Sequence, residues 1–114
     1  MEERRKLKRK YLAFFTRVFD ESTGELLGHL ADITAEGMMV ISTRPIPTDQ
    51  VFQLSMDLPE YLFGRDHIDF QARSIWCQPD IDPTFFSTGF QFKNVSPSDV
   101  QTIEQIVKEY GIRD

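Results

Sequence analysis

Ile68-Asp69-Phe70-Gln71-Ala72-Arg73-Ser74-Ile75-Trp76-Cys77 is the longest run in the chain that reads as a β-strand. Side chains alternate across a strand, so Phe70, Ala72, Ser74 and Trp76 share one face, and Gln71, Arg73, Ile75 and Cys77 share the other. On that alternation Trp76 belongs to the core, the usual place of a large indole, rather than to a ligand platform. Cys77 has no His partner in sequence reach and reads as a buried, unreactive thiol.

Working outward, Val51–Met56 alternates as a half-buried strand should. Pro59–Arg65 breaks the pattern and reads as a loop in which Tyr61, Leu62 and Phe63 cover a barrel end or meet a partner. Gln78–Pro83 is a second loop. Its Asp80 and Asp82 lack the Gly and the distal Glu of a calcium loop. Phe85–Phe92 is the next strand, with Gly89 marking a bulge or a close approach.

A helix follows. Ser96 is its N-cap, Pro97 its first residue, and Asp99 sits where a carboxylate favours the dipole. Val100, Ile103, Val107 and Tyr110 recur at helical spacing with Ile106 alongside, and Gly111 ends the helix. Upstream, Tyr11–Phe19 and Glu25–Ile33 form a hairpin around Asp20-Glu21-Ser22-Thr23-Gly24. Thr34-Ala35-Glu36-Gly37 turns into the strand Met38–Ser42, and Pro45 and Pro47 bracket a loop. Six strands with short turns and one amphipathic helix make an all-β-dominated chain. The expected architecture is a small six-stranded antiparallel β-barrel with a C-terminal α-helix, since an open sheet of this size would expose two edges.

The 114 residues suit one core, and 40% hydrophobic with 27% charged residues marks a folded domain. Ten Phe in so short a chain suggest a well-filled interior. No apolar run is long enough for a transmembrane segment, and the basic start leads into no signal-peptide core. Cys77 is the only cysteine, which excludes an intrachain disulfide and makes a cytoplasmic location the expectation.

Charge is uneven. The net charge is −5, yet residues 1–10 carry +4 and leave −9 on the rest. Residues 1–10 are expected to be a flexible basic arm and residues 11–114 the barrel with its helix. An acidic body repels nucleic-acid polymers, while a short basic arm attracts a small anion. His29 and His67 are isolated, no metal-ligand spacing occurs, and no nucleophile–base set is apparent, so neither a metal, a cofactor nor an enzyme is expected.

Three motifs remain: Arg5-x-x-x-Arg9, then Asp32-x-Thr34-x-x-Gly37, then Gly89-Phe-Gln-Phe-Lys-Asn-Val-Ser-Pro-Ser-Asp99. In this order, over nearly the whole chain, they resemble the PilZ domain, a bacterial receptor module for the second messenger cyclic di-GMP. The resemblance implies that Arg5 and Arg9 grip phosphates and guanines, while Asp32, Thr34 and Gly37 form the barrel half of the site. Arg4, Lys8 and Arg73 are candidates for secondary contacts.

The chemistry fits. Guanidinium matches both phosphate and the guanine O6/N7 edge, an ionised Asp accepts from guanine N1–H and N2–H₂, and Gly37 permits close approach. Thr34 stands where the family usually has Ser; it keeps the hydroxyl and adds a methyl. An extended arm would hold the two Arg roughly 13 Å apart, and a helical one would put them on a common face.

The expected function is therefore a non-catalytic cyclic di-GMP receptor that changes shape and signals to an unidentified protein partner or to another copy of itself as a homodimer. The competing reading is a protein-interaction adaptor of the same family that does not bind cyclic di-GMP; Thr34 is its only support in the sequence.

Overall fold

A computed structural model describes residues 16–110. Its strands are β1 (Arg17–Asp20), β2 (Glu25–Ile33), β3 (Gly37–Ser42), β4 (Val51–Asp57), β5 (His67–Pro79) and β6 (Phe86–Lys93). They close in the order β1-β2-β3-β6-β5-β4, with β1 pairing β4 and every pairing antiparallel. A one-turn helix, α1 (Glu60–Phe63), links β4 to β5, and α2 (Pro97–Tyr110) follows β6. The expected barrel and C-terminal helix are thus both present. The basic arm, the first part of the Tyr11–Phe19 strand and Gly111 lie outside the described residues.

The core is the inward set of the alternating strands. Val18, Leu30, Val40, Leu54, Met56, Ile68 and Ala72 are fully buried, and Ile103 and Ile106 of α2 join them. Edge-to-face ring pairs, Phe52–Phe90 and Phe70–Phe92, fill the space between strands. Ser74, also inward, is satisfied by donating to Pro47 O at 2.7 Å.

Two expectations change here. The Pro59–Arg65 loop contains α1, because Pro59 starts it and Gly64, in the left-handed region at φ 73°, returns its N–H to Glu60 O at 2.8 Å. Phe63 packs on the core while Tyr61 stays exposed. In α2 the Ser96 cap is present, its Oγ accepting from Asp99 N at 3.2 Å. Val100, however, is exposed. Arg65 donates to Asp99 and Thr102 at 3.0 and 3.4 Å, and the residues that this helix buries are Ile103 and Ile106.

Register irregularities decide what faces outward. One residue extra in a strand reverses the in–out alternation beyond it. Such shifts occur between Leu30 and Asp32 in β2 and between Ser74 and Trp76 in β5. In β2 the buried positions run Gly28, Leu30, then Ile33, so Asp32 leaves the interior. In β5 they run Ile68, Phe70, Ala72, Ser74 and stop, so Trp76 leaves it too.

Candidate functional site

The two bulges flank β3 and β6 and aim side chains at one patch of the outer surface. Pairing gives Asp32 opposite Met39, Met39 opposite Gly89, and Gly89 opposite Trp76. A single row, Asp32–Met39–Gly89–Trp76, therefore crosses four neighbouring strands. One row along, Gly37 lies opposite Gln91, and Gln91 opposite Arg73. The first row and the Thr34–Gly37 turn surround an open pocket of about 540 Å³, lined also by Glu36, Ile75 and Gln91.

Trp76 corrects the sequence expectation. It is 41% exposed, with Ile75 beside it at 49%. The alternation that predicts a core position is interrupted at Ile75. Cys77, expected to be buried, is only partly so. Gly89 is the close approach foreseen for it, although the bulge lies on the facing strand: a Cβ on Gly89 would overlap the Trp76 indole. The ring therefore lies across the bare backbone of β6 and presents a flat apolar surface. The legible signal was a glycine in mid-strand, which marks a place where something else comes close.

The turn is locally determined. Thr34 N donates to Gly37 O at 2.8 Å, and Thr34 Oγ1 accepts from the N–H groups of Glu36 and Gly37, each at 3.2 Å. A Cβ on Gly37 would collide with the carbonyl oxygen of Phe90. Glycine here lets the turn settle onto β6, where Phe92 N donates to Glu36 O at 2.9 Å. Asp32 accepts from Ile33 N at 2.8 Å through Oδ1, which leaves Oδ2 for the pocket.

Asp32, Thr34 and Gly37 thus come together. Arg73 does not join them: its guanidinium pairs with Asp49, which stands at φ 61° beside β5. Arg4, Arg5, Lys8 and Arg9 lie outside the described residues. Among the described residues no Lys or Arg lines the pocket, and its charged groups are the carboxylates Asp32 and Glu36. Nor do the described residues contain a His/Cys/Asp/Glu group able to hold a metal.

The outer wall of the barrel thus carries a carboxylate, a hydroxyl-braced turn and an aromatic plate around one pocket. The match to known proteins is specific: the PilZ domain model covers residues 3–109, and the chain belongs to the PilZ domain family.

Solved structures share the fold. The PilZ domain of YcgR from Escherichia coli with c-di-GMP is 18% identical, with a TM-score of 0.62 over 83% of this chain and 79% of that one. The MrkH–c-di-GMP complex of K. pneumonia is 18% identical, with a TM-score of 0.66 over 82% of this chain and 45% of that one. A longer YcgR structure from Escherichia coli, also with c-di-GMP, is 20% identical at a TM-score of 0.62; 82% of this chain aligns but only 39% of that one. This chain therefore matches somewhat under half the length of the longer relatives. No curated protein matches it. Among the described residues no helix is long and apolar enough to cross a membrane.

Proposed function

We propose that this chain is a non-catalytic receptor for cyclic di-GMP, gripped between the basic N-terminal segment and the Asp32–Trp76 wall of the barrel. The observation that carries the proposal is the outward row Asp32–Met39–Gly89–Trp76 beside the Thr34–Gly37 turn. One guanine stacks on Trp76, a contact worth about 1–3 kcal/mol for an aromatic under a base. Oδ2 of Asp32 accepts from a guanine N1–H or N2–H₂. The related structures bound to c-di-GMP, named above, support the choice of ligand.

The wall alone is the wrong charge for a dianion, since Asp32 and Glu36 repel phosphate. The cations come from Arg5 and Arg9, assisted by Arg4 and Lys8. Leu30 N donates to Thr16 O at 2.9 Å, so the first described residue lies against β2 two positions from Asp32. Arg9 precedes Thr16 by seven residues, a reach of at most roughly 25 Å. Arg73 contributes only if a phosphate draws it from Asp49. Ligand closure of the basic segment over the wall then presents an altered surface to a separate protein partner or a second copy of the chain.

Calorimetric titration with cyclic di-GMP, beside GTP and GMP, tests this reading. Saturable heat with cyclic di-GMP and none with the mononucleotides is expected. Absence of heat at ligand concentrations far above micromolar overturns it in favour of an adaptor that works through protein contacts alone.

A further inference from the structure

Taking the receptor reading as its basis, we infer that Gln91 is a specificity-determining residue of the pocket, donating from its side-chain amide to N7 of the guanine that Asp32 holds. A guanine gripped at N1–H and N2–H₂ presents acceptors, O6 and N7, along its remaining edge. Complementarity requires a donor there.

Apart from the arginines of the N-terminal segment, the described residues of the pocket offer few. Asp32 and Glu36 are acceptors when ionised. Both lone pairs of Thr34 Oγ1 are taken by backbone N–H groups, and its own proton points toward Gly37 O at 3.4 Å. The indole N–H of Trp76 lies against Gly89. Gln91 alone among the lining side chains carries an amide, and no hydrogen bond engages that amide among the described residues. Its cross-strand neighbour Arg73 is turned away to Asp49, and its other neighbour, Gly37, has no side chain. The amide is therefore unobstructed.

The span fits a purine. Asp32 and Gln91 stand on β2 and β6 with β3 between them, offset by two residues. Strand spacing and rise put their backbones roughly 12 Å apart. Side chains stand roughly perpendicular to a sheet, so an upright Asp and an upright Gln flanking Met39 and Gly89 keep that separation, about the width of one base with a hydrogen bond at each edge. The amide then meets the Hoogsteen side while Asp32 meets the opposite edge.

The test is a double-mutant cycle between Gln91→Ala and a cyclic di-GMP analogue with 7-deazaguanine, in which N7 becomes C–H. Parent protein should lose affinity about fivefold on replacing the ligand, the size of one hydrogen bond. Gln91→Ala should lose the same factor on the natural ligand and nothing further on the analogue. Gln91→Glu, an acceptor in place of a donor, should lose more than Gln91→Ala on the natural ligand. Equal losses in parent and Gln91→Ala on going to the analogue, or no loss in the parent, overturn the assignment while leaving the receptor reading intact. If the parent binds neither ligand, the receptor reading itself falls and this assignment with it.

Discussion

The barrel carries two open hollows of nearly equal volume, about 540 Å³ on the β2–β3–β6–β5 wall and about 570 Å³ around β1, β4 and the start of β5. Their chemistry is opposite. The first has an apolar floor of Met39, Ile75 and Trp76, and the Gln91 amide and Asp32 Oδ2 at its edge have no protein partner among the described residues. The second is lined by charged groups, most of which pair with one another. There Arg17 donates to Asp57 at 2.6 Å, and His67 Nδ1 lies 2.7 Å from Asp66 and Nε2 3.4 Å from Asp69. Size does not distinguish a binding site from a salt-bridged surface. What distinguishes them is whether polar groups point at one another or at an empty space above an apolar plate.

The largest expected effect breaks the first hollow at its base. Gly37→Ala puts a methyl into the carbonyl oxygen of Phe90, which is backbone and cannot rotate away. Such overpacking costs about 1–3 kcal/mol, and a domain of this size loses roughly 4–8 °C of melting temperature for each kcal/mol. Thermal melts of parent and variant check this. An unchanged melting temperature would mean that β3 and β6 are not as close at Gly37 as described.

Trp76→Ala should separate binding from folding. The indole is 41% exposed and rests on Gly89, so its removal leaves the core untouched and stability little changed. Affinity for cyclic di-GMP should fall by about 1–3 kcal/mol, the range for one base–aromatic stack. A titration that returns the parent affinity would remove Trp76 from the site.

These residues also mark how far the sequence could be read. The barrel was legible because alternation, turn chemistry and the Ser96 cap agree at each level. Asp32 is singled out by its motif, not its pattern: strict alternation from Leu30 puts it inside, and only the extra residue in β2 brings it out. Trp76 lacked that help, so alternation carried it wrongly into the core. A one-residue bulge has no composition signal, yet it inverts every side chain beyond it. Arg73 shows a different limit. Its charge suits a phosphate, but its partner is Asp49, twenty-four positions distant and placed beside it only by the β4–β5 connection. Thr34 Oγ1, the hydroxyl expected to serve ligand, also accepts from two N–H groups of its own turn, a role that its motif does not reveal.

The smallest effect concerns the second hollow and tests whether it is merely self-satisfied. The hydrogen bond to Asp66, with the nearby Asp69 charge, raises the His67 pKa above 6.5, and the same hydrogen bond lowers that of Asp66. A histidine whose folded pKa is raised contributes stability that is complete below its unfolded value and is lost as pH rises through the folded one. Glu21, raised chiefly by its hydrogen bond with Asp69, starts from 4.5, and Asp66 is lowered from 3.8, so both reference values lie below the window in which His67 titrates. Between pH 6 and pH 8 the melting temperature of the parent should therefore decline slightly relative to that of His67→Gln, which lacks the titrating ring. The effect is small because His67 is half exposed and solvent screens its partners. Cyclic di-GMP affinity of His67→Gln should match the parent at both pH values, since His67 lies in the other hollow. A variant that melts in parallel with the parent would show that the pair with Asp66 adds nothing to folding. One that binds ligand more weakly would show that the two hollows are coupled through β5, the strand they share.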